Sequence, residues 1–425
     1  MARSLGQSEH RRTRLRCSRR TNRSQVTLMA SLLPDRRTLV VGFGITLGNT
    51  AQSAIPWISG SLVESAHLDI QQASLMITAE VFTMGIVMLG ASAFVHRLPK
   101  KAVLIFATLL AIAAQIASIY VTQLGALALV RAVSGAAFGL VYSLASAIGA
   151  GAEAPQRTYG AAGTIALLLG VLINPMLGYG MQTYGAAGVF SGIVILAVVL
   201  AVPLFLISFK SFETSPTAAG AIAADPARSE ERLDMPSAAG VVLTMALMSA
   251  AVSGLYVFLE RIAHSVGLEG TALGAGMSVV SLIGASGGVI AIFVSKRVGN
   301  VLPLLIGLPL VGVIILGIAT AKNQPQFWSV FSALTVMFWF LYPFIFGLAA
   351  RVDPKGRVAS ATGSGKILLA SGGTALAGFL GANYGMQSYG YAAIAICLLS
   401  AAMAAWVIAR LREPREVCVS PSGFV

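Results

Sequence analysis

Long apolar stretches separated by short polar breaks run along the whole chain. Runs of about 20 apolar residues are long enough, as helices, to cross the hydrocarbon core of a bilayer. Twelve such runs are present, at 38–60, 72–95, 102–121, 124–149, 158–181, 185–209, 237–259, 271–294, 302–321, 326–350, 358–382 and 386–410. The first six starting positions recur in the last six at an offset of 199 to 202 residues, as 38 and 237 or 124 and 326 show. Local sequence repeats too: Met181-Gln-Thr-Tyr-Gly185 echoes Met386-Gln-Ser-Tyr-Gly390, and Arg157 ahead of the fifth run mirrors Arg357 ahead of the eleventh. Residues 210–236 break the pattern with a polar stretch rich in Ala, Pro and Glu, without the apolar periodicity a core requires. The expectation is an all-α membrane protein of twelve helices in two parallel six-helix repeats. Its segments are a basic tail (1–37), a first half (38–209), a linker (210–236), a second half (237–410) and a short tail (411–425).

Composition supports this class, with 56% hydrophobic and only 11% charged residues in 425. A net charge of +13 would suggest a nucleic-acid partner in a soluble chain, but here the placement of the cations matters instead. Of the 29 lysines and arginines, Arg261 and Lys322 lie on one side of the expected membrane, Arg131 and Lys366 lie within runs, and all the others share a side with both tails. The positive-inside rule makes that side cytoplasmic, so the expected place is the cytoplasmic membrane with both termini inside. The first 37 residues hold ten arginines and only two acids, and Met29 opens a second, more ordinary start, so residues 1–28 need not be translated. Cys17, Cys397 and Cys418 lack metal-ligand spacing. His10, His67, His96 and His264 fall in loops or tails, and Gly363-Ser-Gly-Lys366 lacks the first glycine of a phosphate loop. No metal, cofactor, nucleic-acid partner or enzymatic activity is expected.

Three charges stand inside apolar runs: Glu80, Arg131 and Lys366. A charge at the centre of a spanning helix costs upwards of about 2.5 kcal/mol and normally faces a bundle interior or a watery cavity. Glu80 is eight residues, and Arg131 seven, from the same end of their helices, roughly 11–12 Å deep at 1.5 Å per residue, so they can pair. The positions one repeat away, Val279, Ala333 and Ala166, carry no charge. Two readings stay open: a static ion pair that locks helices together, or a proton switch in which Glu80 is ionised while paired and protonated when parted from Arg131.

Arg131-x-x-x-Gly135-x-x-x-Gly139, with its two glycines one turn apart, resembles the fourth-helix motif of the major facilitator superfamily of secondary transporters. Together with the six-plus-six repeat it implies the major facilitator fold over residues 38–410 and transport by alternating access. Members of that family carry a Gly-x-Leu-Ala-Asp-Arg-x-Gly-Arg-Arg loop after the second helix. The matching stretch here is Ser92-Ala-Phe-Val-His96-Arg97-Leu-Pro99-Lys100-Lys101, in which the cations stand but His96 replaces the aspartate; the second half keeps Lys296-Arg297-Val-Gly299. In the fifth run, Gly170-Val-Leu-Ile-Asn174-Pro175-Met-Leu-Gly178 resembles the proline kink of the antiporter branch, with Asn174 at a glycine position. The resemblance would line a central cavity with helices one, four, seven and ten. These offer Asn49, Thr50, Gln52, Ser53 and Trp57, then Tyr142 and Ser146, then Tyr256, then Trp328, Trp339 and Tyr342; Lys366 in the eleventh helix would meet substrate. The implied function is proton-coupled movement of a small organic molecule by a monomer, with export as the leading reading. Alternatives are a symporter importing an organic anion and a non-transporting sensor on the same fold.

Overall fold

The computed structural model describes residues 36–65, 67–94, 99–150, 152, 155–207, 234–298, 301–353 and 357–412. Residues 1–35 of the basic tail, nearly all of the linker, the loop positions His96 and Arg97 and the last residues lie outside that set. Among the described residues, ten helices are long and apolar enough to cross a membrane. One of them covers two spans and the first span is built from shorter pieces, giving twelve spans in two parallel repeats of six.

Span 1 comprises Arg36–Gly48, Thr50–Ser53 and Ile55–Glu64; span 2 is Ile70–Phe94, span 3 Lys100–Tyr120 and span 4 Leu124–Ala150. Spans 5 and 6 share Pro155–Leu206. Span 7 is Met235–Ser265, span 8 Gly270–Val298, span 9 Val301–Ala319, span 10 Gln324–Val352, span 11 Arg357–Tyr384 and span 12 Met386–Arg412.

The joint between spans 5 and 6 is Gly185, at φ 59°, ψ −137°, a backbone conformation that favours glycine. Its counterpart between spans 11 and 12 is Gly385, at φ 82°. This register corrects the echo read from sequence. Met181 precedes its hairpin glycine, whereas Met386 follows its own, so the two Met-Gln-x-Tyr-Gly copies fall on opposite sides of the turn. Tyr184 is accordingly exposed and Tyr389 buried. Span 1, expected to run unbroken from 38 to 60, is jointed at Asn49 and Ala54, which sit near φ −87°, ψ 0°. Pro56 supplies the reason for the second joint, since it has no N–H to give to the carbonyl of Gln52.

Equivalent pairs pack in the two halves: span 1 on 5 and 7 on 11, span 2 on 4 and 8 on 10, span 3 on 4 and 9 on 10. The halves meet along spans 2 and 11 and along spans 5 and 8, where small residues let backbones approach. Gly85 faces the backbone of Leu368, Gly274 faces Asn174 and Pro175, and Gly178 faces the carbonyl of Gly270. Hydroxyls stitch the same seams: Thr78 bonds Thr374 at 2.9 Å and Ser278 donates to the carbonyl of Val171 at 2.7 Å. A third contact closes the face away from the chain tails, where Ile55–Glu64 of span 1 lies on span 7 and Ser59 donates to the carbonyl of Val257 at 2.6 Å. At the tail face the arrangement differs. Arg36–Gly48 packs on spans 4 and 5 of its own half, and spans 4 and 10 share no extended contact. Among the described residues, the cleft between the halves is therefore shut at the far face and lacks a matching closure toward the tails.

Candidate functional site

In the cleft, Lys366 of span 11 places its Nζ 5.4 Å from the centre of the Tyr342 ring of span 10. Tyr342 lies in a row of aromatic rings, 5.8 Å from Trp339, 6.1 Å from Phe338 and 4.7 Å from Phe346. Pro343 beside them leaves the carbonyl of Trp339 without its helical donor, adding a polar point to an otherwise apolar wall. Across the cleft, Tyr142 of span 4 stands within electrostatic reach of both Lys366 and Tyr342. Among the described residues Lys366 has no carboxylate partner. Lys366, Tyr342 and Tyr142 are each half-buried, and Trp339 is exposed.

Span 1 reaches this region because Gly48 has no side chain: a Cβ there would overlap the backbone and Cβ of Tyr142. Asn49 and Gln52 follow, both half-buried, with the Asn49 amide donating to Ser53 at 3.1 Å. Tyr256 lies elsewhere. Its ring meets Phe331 edge-on at 6.4 Å, eleven residues before Tyr342 and so about 16 Å away along the helix. Trp57 is not a cavity residue either. It is fully buried at the seam between halves, its Nε1 donating to Asn174 Oδ1 at 3.4 Å.

Glu80 and Arg131 form a direct ion pair, both essentially inaccessible to solvent. Around them runs a closed ring of hydrogen bonds. Arg131 Nη1 donates to Gln115 Oε1 at 2.9 Å and to Ser118 at 3.3 Å; Gln115 Nε2 donates to Ser134 at 2.8 Å; Ser134 donates to Glu80 Oε1 at 2.7 Å. The guanidinium carbon lies 5.1 Å from the centre of the Phe190 ring. Spans 2, 3, 4 and 6 hold the whole network, so it belongs to one half.

The residues read from sequence as conformational divide. A Cβ at Gly135 or Gly139 would overlap the carbonyls of Glu80 or Met84, which fixes the approach of spans 2 and 4 that the ion pair needs. Asn174 accepts from Trp57 and donates to Gly170 O at 3.2 Å, so it takes part in the seam rather than merely standing in for glycine. Pro175 and Gly178 line the crossing with span 8, but Gly170 faces open space, so close packing is not its role. Lys100 is buried at the start of span 3, Lys101 is half-buried and Arg297 is exposed. Arg97 lies outside the described residues.

Two buried charges escaped the sequence reading: Asp353 at the end of span 10, 2% exposed, which accepts from the Val358 N–H at 3.2 Å, and Glu260. Glu260 lies one residue beyond the expected end of the seventh run, yet span 7 continues to Ser265 and leaves it only 3% exposed, with Oε2 unpartnered. Extending the helical face from Val257 by one turn would have flagged it.

Residues 38–375 match the family model described as Major Facilitator Superfamily. The chain belongs to the major facilitator superfamily. Solved structures share the superfamily fold. A D-xylose–proton symporter aligns at TM-score 0.66 and 16% identity, covering 87% of this chain and 96% of the other. The nucleoside transporter NupG, solved as a point mutant, aligns at 0.57 and 15%, covering 88% and 98%. A bacterial homologue of the human lysosomal transporter Spinster, inward-facing and occupied, aligns at 0.66 and 13%, covering 88% and 96%. No curated protein sequence matches the chain significantly.

Proposed function

We propose that this superfamily member is a proton-coupled carrier of a small organic anion in the cytoplasmic membrane, working by alternating access. The observation that carries the proposal is Lys366, a cation over the Tyr342 ring in the cleft, opposed by Tyr142 from the other half and without a carboxylate partner among the described residues. An ammonium with an aromatic wall recognises a molecule that joins an anionic group to an apolar or aromatic body. The cation distribution puts both tails in the cytoplasm, and the cleft then opens inward. Export is the leading direction, resting on the Asn174-Pro175 signature of span 5; import by symport is favoured instead by the uncompensated charge of Lys366, which a bound anion would neutralise.

In this reading Glu80 and Arg131 brace the first half. Alternating access rocks one half against the other, and every element that holds the pair lies in the same half, so rocking alone does not part it. This geometry supports the static reading of the pair over the proton switch. Titrating purified protein with aromatic and aliphatic carboxylates, read by quenching of tryptophan fluorescence, tests the site. Saturable quenching that Lys366→Gln abolishes supports it; equal quenching in both proteins removes Lys366 from the site.

A further inference from the structure

The far-face gate holds a carboxylate that the binding site does not use. Glu260 is 3% exposed, its Oε2 has no hydrogen-bond partner, and it sits where span 7 of the second half meets span 1 of the first. Gly60 makes that approach possible, since a Cβ at position 60 would fall 2.7 Å from Glu260 Cδ. One turn away the gate is latched by the Ser59 hydroxyl on the carbonyl of Val257.

We propose that Glu260 is a proton-binding latch of this gate, protonated while spans 1 and 7 are closed over it and ionised when they separate. The inference rests on the alternating-access reading and supplies its proton-linked group. An ionised carboxylate with one oxygen buried and unpartnered pays a desolvation cost, which protonation removes. Opening at the far face returns the group to water and lets the proton leave.

Among the described residues, no compensating cation stands in hydrogen-bond contact with Glu260. Glu64 at the end of span 1 and Arg261 on span 7 act on it electrostatically with opposite signs. His264 on its own helix, His67 and Asp69 ahead of span 2, Glu269 ahead of span 8 and Lys322 ahead of span 10 complete the charged groups and histidines at that face. The adjoining ends of spans 5, 6, 11 and 12 carry tyrosines but no charged residue. Unlike Glu80, Glu260 lies between the two halves, so the motion that switches access also switches its environment.

The test measures the gate itself. Spin labels on cysteines at Gln71 and Gln387, at the far face on opposite halves, report its opening in lipid nanodiscs without substrate. One proton released per opening raises the open-to-closed ratio by about tenfold per pH unit between the two protonation midpoints. Wild type therefore opens as pH rises, and Glu260→Gln stays closed at every pH, with Glu260→Met as a second neutral variant should the first fold poorly. A wild-type distance distribution that ignores pH overturns the proposal, as does a pH-dependent opening that survives in either variant. Failure of carboxylates to bind at Lys366 would overturn the binding-site reading and leave this gate result standing.

Discussion

Replacing Arg131 or Glu80 singly and together separates a brace from a switch. Arg131→Gln leaves Glu80 buried with only the Ser134 hydroxyl and also removes the bonds to Gln115 and Ser118 and the contact with Phe190. Breaking one side of a buried pair costs about 3–5 kcal/mol, and these additional losses put Arg131→Gln at the upper end. Glu80→Gln keeps an acceptor for Ser134 but strands a guanidinium at zero exposure, so it belongs at the lower end of the same range. In Glu80→Gln/Arg131→Gln neither charge remains, the two amides can bond each other, and the double variant returns to within about 1 kcal/mol of wild type. Unfolding in mixed micelles followed by circular dichroism gives the four stabilities. Additive losses, with the double variant the least stable, would refute the brace. A second arm uses Glu80→Gln in liposomes: as a brace residue it leaves pH-gradient-driven transport intact in the fraction that folds. Loss of uphill transport with intact substrate exchange would make Glu80 the proton carrier.

Three further outcomes follow from particular contacts. Gly60→Ala places a methyl against Glu260, so the far-face gate fails to seat, and a cysteine at Gln52 gains reactivity toward an impermeant thiol reagent added from that face. Trp57→Phe keeps a six-membered ring but loses the pyrrole ring and its bond to Asn174. In the same unfolding assay it lowers stability by more than the bond alone, which is worth about 0.5–1.5 kcal/mol, because a cavity is left, whereas Trp57→Ala costs about 3–5 kcal/mol. Asp234, just ahead of span 7, is held below the ordinary carboxylate value first by the Ser237 hydroxyl at 2.6 Å and then by Arg410. Its stabilising contribution is present above the ordinary aspartate range and fades as pH falls through the lowered folded value, so Asp234→Asn flattens the acid side of the stability profile. The effect is small because the pair is largely solvated.

The twelve spans and their repeat were legible because span length and spacing are properties of the chain alone. Glu80 and Arg131 could be matched by depth, since both were counted from the same end of their helices. Partnership across the bundle was not readable. Gln115, Ser118 and Ser134 look like ordinary polar residues in apolar helices until span 3 is set beside span 4. Trp57 read as a cavity aromatic because its burial depends on a seam between halves, and its partner Asn174 lies 117 residues away in sequence. Glu260 was missed because a run of apolar letters ends at the first charge, whereas the helix ends where the backbone turns. The sequence echo at Met386 misled for a related reason: similarity of letters does not fix register across a turn, and the positive φ of Gly185 and Gly385 does.

The central claim is that a proton gradient drives an organic anion through the cleft by way of Lys366. Liposomes carrying the protein and a trapped pH dye, challenged with a panel of aromatic and aliphatic carboxylates under an imposed pH gradient, test it directly. The account predicts that at least one carboxylate moves uphill with a matching proton flux, that Lys366→Gln abolishes both, and that Lys366→Arg restores them only in part because a planar fork replaces a compact ammonium. Anion accumulation that Lys366→Gln leaves unchanged, or transport without proton movement, would contradict it.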